Sequence, residues 1–143
     1  MKEIYSEVEI NASPKVVWDI LMDFENFQNW NPFIKQISGN PQVGSKIEVF
    51  IHPPDSRGMT FKPKILDYEP EEKLRWIGTL GIPKIFDGEH SWIINEIDEN
   101  KVLFIQKERF TGILVSLLGG MLKNTEKGFK MMNSALKKEA EKK

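Results

Sequence analysis

Residues 86–94 read FDGEHSWII and residues 103–110 read LFIQKERF. Side chains of a strand alternate between faces, so Phe86, Gly88, His90, Trp92 and Ile94 share one side of the first stretch. Phe104, Gln106, Glu108 and Phe110 share one side of the second. Both faces are apolar apart from an imidazole, an amide and a carboxyl. These groups suit acid–base work, because a histidine changes charge near neutral pH and a carboxylate beside it can fix its tautomer or exchange a proton. The same pair can anchor a ligand by one hydrogen bond, with Glu108 holding the tautomer of His90. It can equally be a satisfied polar pair inside a core. Spacing alone leaves all three readings open.

Other chemistry finds less support. His52 and His90 are the only histidines and there is no cysteine, so a metal centre lacks ligands, and disulfide and thiolate chemistry are excluded. No Gly-x-Ser-x-Gly elbow accompanies the serines. Gly119-Gly120 lies inside an apolar helical pattern rather than after a strand, which is not the setting of a phosphate cradle. No cofactor is implied. Twenty basic against 21 acidic side chains give a formal charge of -1, without the basic footprint a nucleic-acid binder needs. The N-terminal MKEIYSEVEINASP lacks the apolar core of a signal peptide, and the apolar run GILVSLLGGML at 112–122 is too short to cross a bilayer. The expectation is a soluble, cytoplasmic protein, a monomer or weak homodimer, with one domain over residues 1–143.

The elements that must position His90 and Glu108 follow from pattern. Ile4, Ser6, Val8 and Ile10 alternate with polar residues as in a half-buried strand. Ser13-Pro14 is a helix start, since the serine oxygen can accept an orphan amide while proline has none to waste. The helix runs to about Met22, with Val17, Ile20, Leu21 and Phe24 on one face, and a second short turn covers Phe24 to Gln28. Six strand-like runs follow at 33–38, 45–52, 59–69, 73–80, 85–97 and 101–110, separated by turn residues as in an antiparallel meander. From about Gly112 the period changes. Leu114, Leu118, Met121, Thr125, Phe129, Met132 and Leu136 recur at three and four, predicting a long amphipathic helix with a weak point at Gly119-Gly120. Its last part carries seven lysines against three glutamates, which reads as a solvated outer face rather than a membrane anchor.

One antiparallel sheet and one long helix pack economically when the sheet curls around the helix, and the space between them can stay partly unfilled. The inward set then contains Phe61, Trp76, His90, Trp92, Gln106, Glu108 and Phe110 from the strands and Leu118, Met121 and Phe129 from the helix. Loops Pro53 to Gly58 and Gly81 to Pro83 would form the mouth.

Four stretches carry a resemblance along the whole chain, from Glu3 to about Glu141: ASPKVVWDILMDFENFQNWNPF at 12–33, KLRWIGTL at 73–80, FDGEHSW at 86–92 and KERFTGILVSLLGGMLKNTEKGFKMMNSALKKEAE at 107–141. The chain resembles the SRPBCC superfamily of START lipid-transfer domains, birch-pollen-allergen-like proteins and polyketide cyclases, and most of all its polyketide cyclase/dehydrase-like subgroup. The resemblance implies an α+β helix-grip fold, a curved seven-stranded antiparallel sheet wrapped around the C-terminal helix with two short helices after the first strand. It also implies a hydrophobic small molecule, aromatic, polyketide-like or lipid-like, as partner. Alternatives are a cyclase or dehydratase using His90 and Glu108, or an interaction module of the chaperone-activator kind.

Overall fold

The computed structural model describes residues 1–79, 86–115 and 119–142. Its first strand, β1 (Lys2–Ile10), runs into α1 (Pro14–Met22), whose start is fixed as the Ser13-Pro14 pair requires: the Ser13 hydroxyl oxygen accepts from the Val16 amide at 3.2 Å. A 3₁₀ turn at Phe24–Asn26 and a one-turn helix, α2 (Phe27–Trp30), follow. Asn31 then turns the chain, its side-chain oxygen accepting from the amides of Phe33 and Ile34 at 2.9 and 2.8 Å. Those two bonds give Asn31 a structural role.

The strands are β2 (Ile34–Ser38), β3 (Glu48–Ile51), β4 (Met59–Phe61), β5 (Lys64–Glu69), β6 (Lys73–Thr79), β7 (Asp87–Asp98) and β8 (Lys101–Thr111). With β1 they make eight among the described residues, in a five-stranded antiparallel sheet ordered β1-β8-β7-β6-β5 and a three-stranded one ordered β2-β3-β4. The helix-grip architecture holds, while the expected seven-stranded single sheet becomes two. The run at 59–69 divides because Pro63 has no amide to give a ladder. Pairing of Lys46 with Lys64, and backbone bonds from Gly44 to Ile65 and from Ile47 to Pro63, carry the chain of the small sheet onto the edge of the large one.

The long helix α3 (Gly119–Glu141) lies against β1, β8 and α1. Its inner stripe, Leu122, Phe129, Met132 and Leu136, is buried with the inward faces of the sheet, including Ile10, Leu74, Trp92 and Phe104. Gly128 permits the closest approach: a Cβ there would stand 2.3 Å from the ring of Phe33, which packs edge-on to Phe129 with centroids 5.6 Å apart. At its far end the Asn11 amide donates to Glu141 at 2.8 Å and the Lys137 ammonium to the Glu9 carbonyl at 3.0 Å. The helix starts later than periodicity predicts. Gly112 has φ +120°, a conformation that ends β8 without entering a helix, and Leu114 sits in the turn that follows. Gly119-Gly120 therefore occupies the first described turn of α3 instead of weakening its middle. No helix among the described residues is long and apolar enough to cross a membrane.

Candidate functional site

The register of β7 and β8 brings the two polar stretches together, pairing Trp92 with Gln106, His90 with Glu108 and Gly88 with Phe110. Side chains of His90 and Glu108 nevertheless lean in opposite directions along the strands. His90 reaches toward Gln106, Nε2 standing 2.9 Å from Oε1, while the Glu108 carboxyl lies over Gly88. Glu108 is thus not the partner that holds His90. That place belongs to Gln106.

The Gln106 network can be oriented throughout from one group. An indole N–H can only donate, so the Gln106 atom 3.1 Å from Trp92 Nε1 is the amide oxygen. His90 must then donate to that same oxygen from Nε2, leaving Nδ1 as the bare acceptor, with no partner among the described residues. The Gln106 NH2 donates to Asn133 of α3 at 2.9 Å, Asn133 donates to Ser6 at 3.0 Å, and Ser6 donates to the Gln106 carbonyl at 2.9 Å. Strands β1, β7 and β8 are pinned to α3 by these bonds. Above the His90 ring Trp76 stacks at 4.6 Å, and the edges of Trp92 and Phe129 close two more sides. Burial pulls the His90 pKa down to about 4, with the bond to Gln106 opposing, so the ring is neutral at physiological pH.

A cavity of about 90 Å³ opens beside this network, between the sheet, the loop from Pro53 to Met59 and the start of α3. Its walls are apolar, with Ile51, Phe61, Phe86, Phe110 and Met121 prominent, and Phe86 stacks on Phe110 at 5.5 Å. Gly78 and Gly88 pair across β6 and β7 and line its floor, which lets the Phe61 ring and the Glu108 carboxyl come close over the sheet. Into the cavity projects the Glu108 carboxyl. A Cβ on residue 88 would lie 2.3 Å from Glu108 Oε2, so any larger residue there would push the carboxyl aside. No described residue makes a hydrogen bond or ion pair with this carboxyl, and burial among apolar atoms pushes its pKa up to about 8.

Of the residues expected to meet a ligand, Phe61, Glu108, Phe110 and Met121 line the cavity. Trp76, His90, Trp92, Gln106 and Phe129 lie outside that lining, all buried in the core. Leu118 and the loop Gly81 to Pro83 fall outside the described residues, whereas the other expected mouth loop contributes Pro53, Ser56 and Arg57. Sequence reasoning places Ser6 and Thr125 on the patterned faces and Arg57 inside the expected mouth loop without a role for any of them, and does not single out Asn133. Asn133 had a signal, being a polar residue one turn from Phe129 within the inner stripe of α3. Among the described residues no group of three or more His, Asp or Glu side chains could hold a metal ion.

The family model described as polyketide cyclase / dehydrase and lipid transport matches residues 1–142. The chain belongs to this family. Solved structures show the same fold. The Zhui aromatase/cyclase from Streptomyces sp. R1128 superposes with a TM-score of 0.78 at 14% identity, over 99% of this chain and 94% of that one. A START superfamily protein from Mycobacterium smegmatis gives 0.76 at 18% identity, over 98% and 97%. Norcoclaurine synthase from Thalictrum flavum, in complex with dopamine and hydroxybenzaldehyde, gives 0.70 at 13% identity, over 96% and 84%. At these identities the likeness is one of fold. No curated protein sequence matches the chain. Membership in the polyketide cyclase / dehydrase and lipid transport family supports hydrophobic ligand binding or a cyclase-type function.

Proposed function

We propose that the chain binds a small hydrophobic molecule in the cavity between β6, β7, β8, the Pro53–Met59 loop and α3, with the protonated Glu108 carboxyl donating a hydrogen bond to it. The observation that supports this reading most is the carboxyl without a protein partner in an apolar cavity floored by two glycines. The carboxyl is half-buried rather than sealed off, so a ligand entering the cavity can reach it. A carbonyl or hydroxyl oxygen on a ligand would supply the missing acceptor, and the phenylalanine walls would take its apolar body.

One feature favours a second reading, in which Glu108 transfers a proton to or from a bound carbonyl compound as in a cyclase or dehydratase. A carboxyl with a pKa of about 8 is poised close to neutral pH, where a general acid or base works best. In that reading Glu108 acts at the substrate and His90 keeps the strands beneath it in register.

Acetophenone, a ring with one carbonyl acceptor, tests the binding site by NMR titration. Binding should shift the signals of Phe86, Phe110 and Glu108. Replacing Glu108→Leu should weaken it about tenfold, the worth of one hydrogen bond of about 1.4 kcal/mol, and Glu108→Gln should retain most affinity because an amide also donates. Equal affinity in Glu108→Leu, or no shift at the cavity in the wild type, would refute the proposal.

A further inference from the structure

The geometry points to a hydrophobic monoanion as the ligand class: a short arene or alkyl body inside the cavity, with a carboxylate held at the rim by Arg57. This rests on the binding reading above and adds the charge of the ligand. The polar inventory of the cavity is short. Thr125 spends its hydroxyl on the Met121 carbonyl at 2.9 Å, and Ser56 and Thr79 are neutral. Charge comes from Arg57 and Glu108 alone among the described lining residues.

Arg57 makes no ion pair with any described residue. Its loop neighbour Asp55, which could neutralise it, stands instead 3.9 Å from Lys127 of α3. An arginine at the edge of an apolar cavity offers a planar set of donors that matches a carboxylate, and its charge repels an ammonium. The volume agrees with a ligand that is only partly enclosed, since about 90 Å³ falls below the roughly 300 Å³ at which pockets bury a whole drug-sized molecule. A body with its charged end outside fits that space; a long fused-ring molecule does not fit whole. On the inner side Glu108 tolerates the anion as long as it stays protonated, and no other charged side chain among the described residues lines the cavity. His90, opposite Glu108 across β7 and β8, is neutral and turned to Gln106.

Three probes of one shape decide the charge: 4-acetylbenzoate, 4-acetylbenzamide and 4-acetylbenzylamine, titrated into the wild type and into Arg57→Gln at pH 6.5. Arg57 is exposed, so its replacement leaves the fold in place. The carboxylate should bind roughly three- to tenfold more tightly than the amide, as a rim-exposed ion pair permits, and the amine should bind weakest. In Arg57→Gln the preference for the carboxylate over the amide should vanish, the ratio of the two affinities falling to about one. The assignment is overturned if the amide or amine matches the carboxylate in the wild type, or if the preference survives the substitution. Binding of the amide without any advantage for the carboxylate sinks the anion alone. Failure of all three probes sinks the binding site as well.

Discussion

Replacing Gln106→Leu is expected to lower unfolding stability by about 4 kcal/mol, measured as a urea midpoint shift at unchanged slope. Gln106 is fully buried and serves three donors and acceptors from other elements. Its loss strands the N–H groups of His90 and Trp92 and the Asn133 oxygen, and each stranded buried group costs about 1–3 kcal/mol, with less than full additivity. Leucine fills the volume but supplies no acceptor. Against a total stability of about 5–15 kcal/mol for a domain of this size, the variant would be marginal. A change below about 1 kcal/mol would show that the network is not what joins α3 to the sheet.

The second large effect falls on binding. Gly88→Val should abolish acetophenone binding, with affinity reduced by more than about tenfold, because the new side chain occupies the space that the carboxyl and the ligand share. A Cβ at this position lies 2.3 Å from Glu108 Oε2 and 3.5 Å from Phe110, so Glu108 must swing aside and the cavity fills. Valine suits a strand, and the end of a flexible side chain is what has to move. Circular dichroism should therefore show a folded protein. Full affinity in a folded Gly88→Val variant would place the ligand elsewhere.

Local pattern made much of this legible. Alternation in FDGEHSWII and LFIQKERF places Gly88, His90, Trp92, Gln106 and Glu108 inward, and the structure agrees, because a strand's faces depend only on its own pleat. What needed register or a distant partner was hidden. The pairing of Gly78 with Gly88 turns two ordinary strand glycines into the floor of a cavity, and no single strand announces it. Cross-strand neighbours His90 and Glu108 read as a bonded pair, yet Gln106 and Asn133, 27 residues apart, take the histidine away from the carboxyl. Apolar spacing at Leu114 continued the helical period back into a segment where Gly112 forbids helix. Pro63 divided a predicted strand for an equally local reason, the missing amide.

Ligand binding in this cavity depends on the protonation state of one carboxyl. With its pKa raised from 4.5 to about 8, Glu108 contributes stability that is fully present below pH 4.5 and is lost as pH rises from there through about 8. The most direct measurement is the pH titration of the ¹³C signal of the Glu108 side-chain carboxyl, in the free protein and in protein saturated with acetophenone. We predict a midpoint near 8 in the free protein, moving higher with acetophenone as the ligand carbonyl accepts from the acid and favours its neutral form. A midpoint in the ordinary carboxylate range, or one that a saturating ligand leaves unmoved, would contradict Glu108 as the polar contact of a hydrophobic binding site.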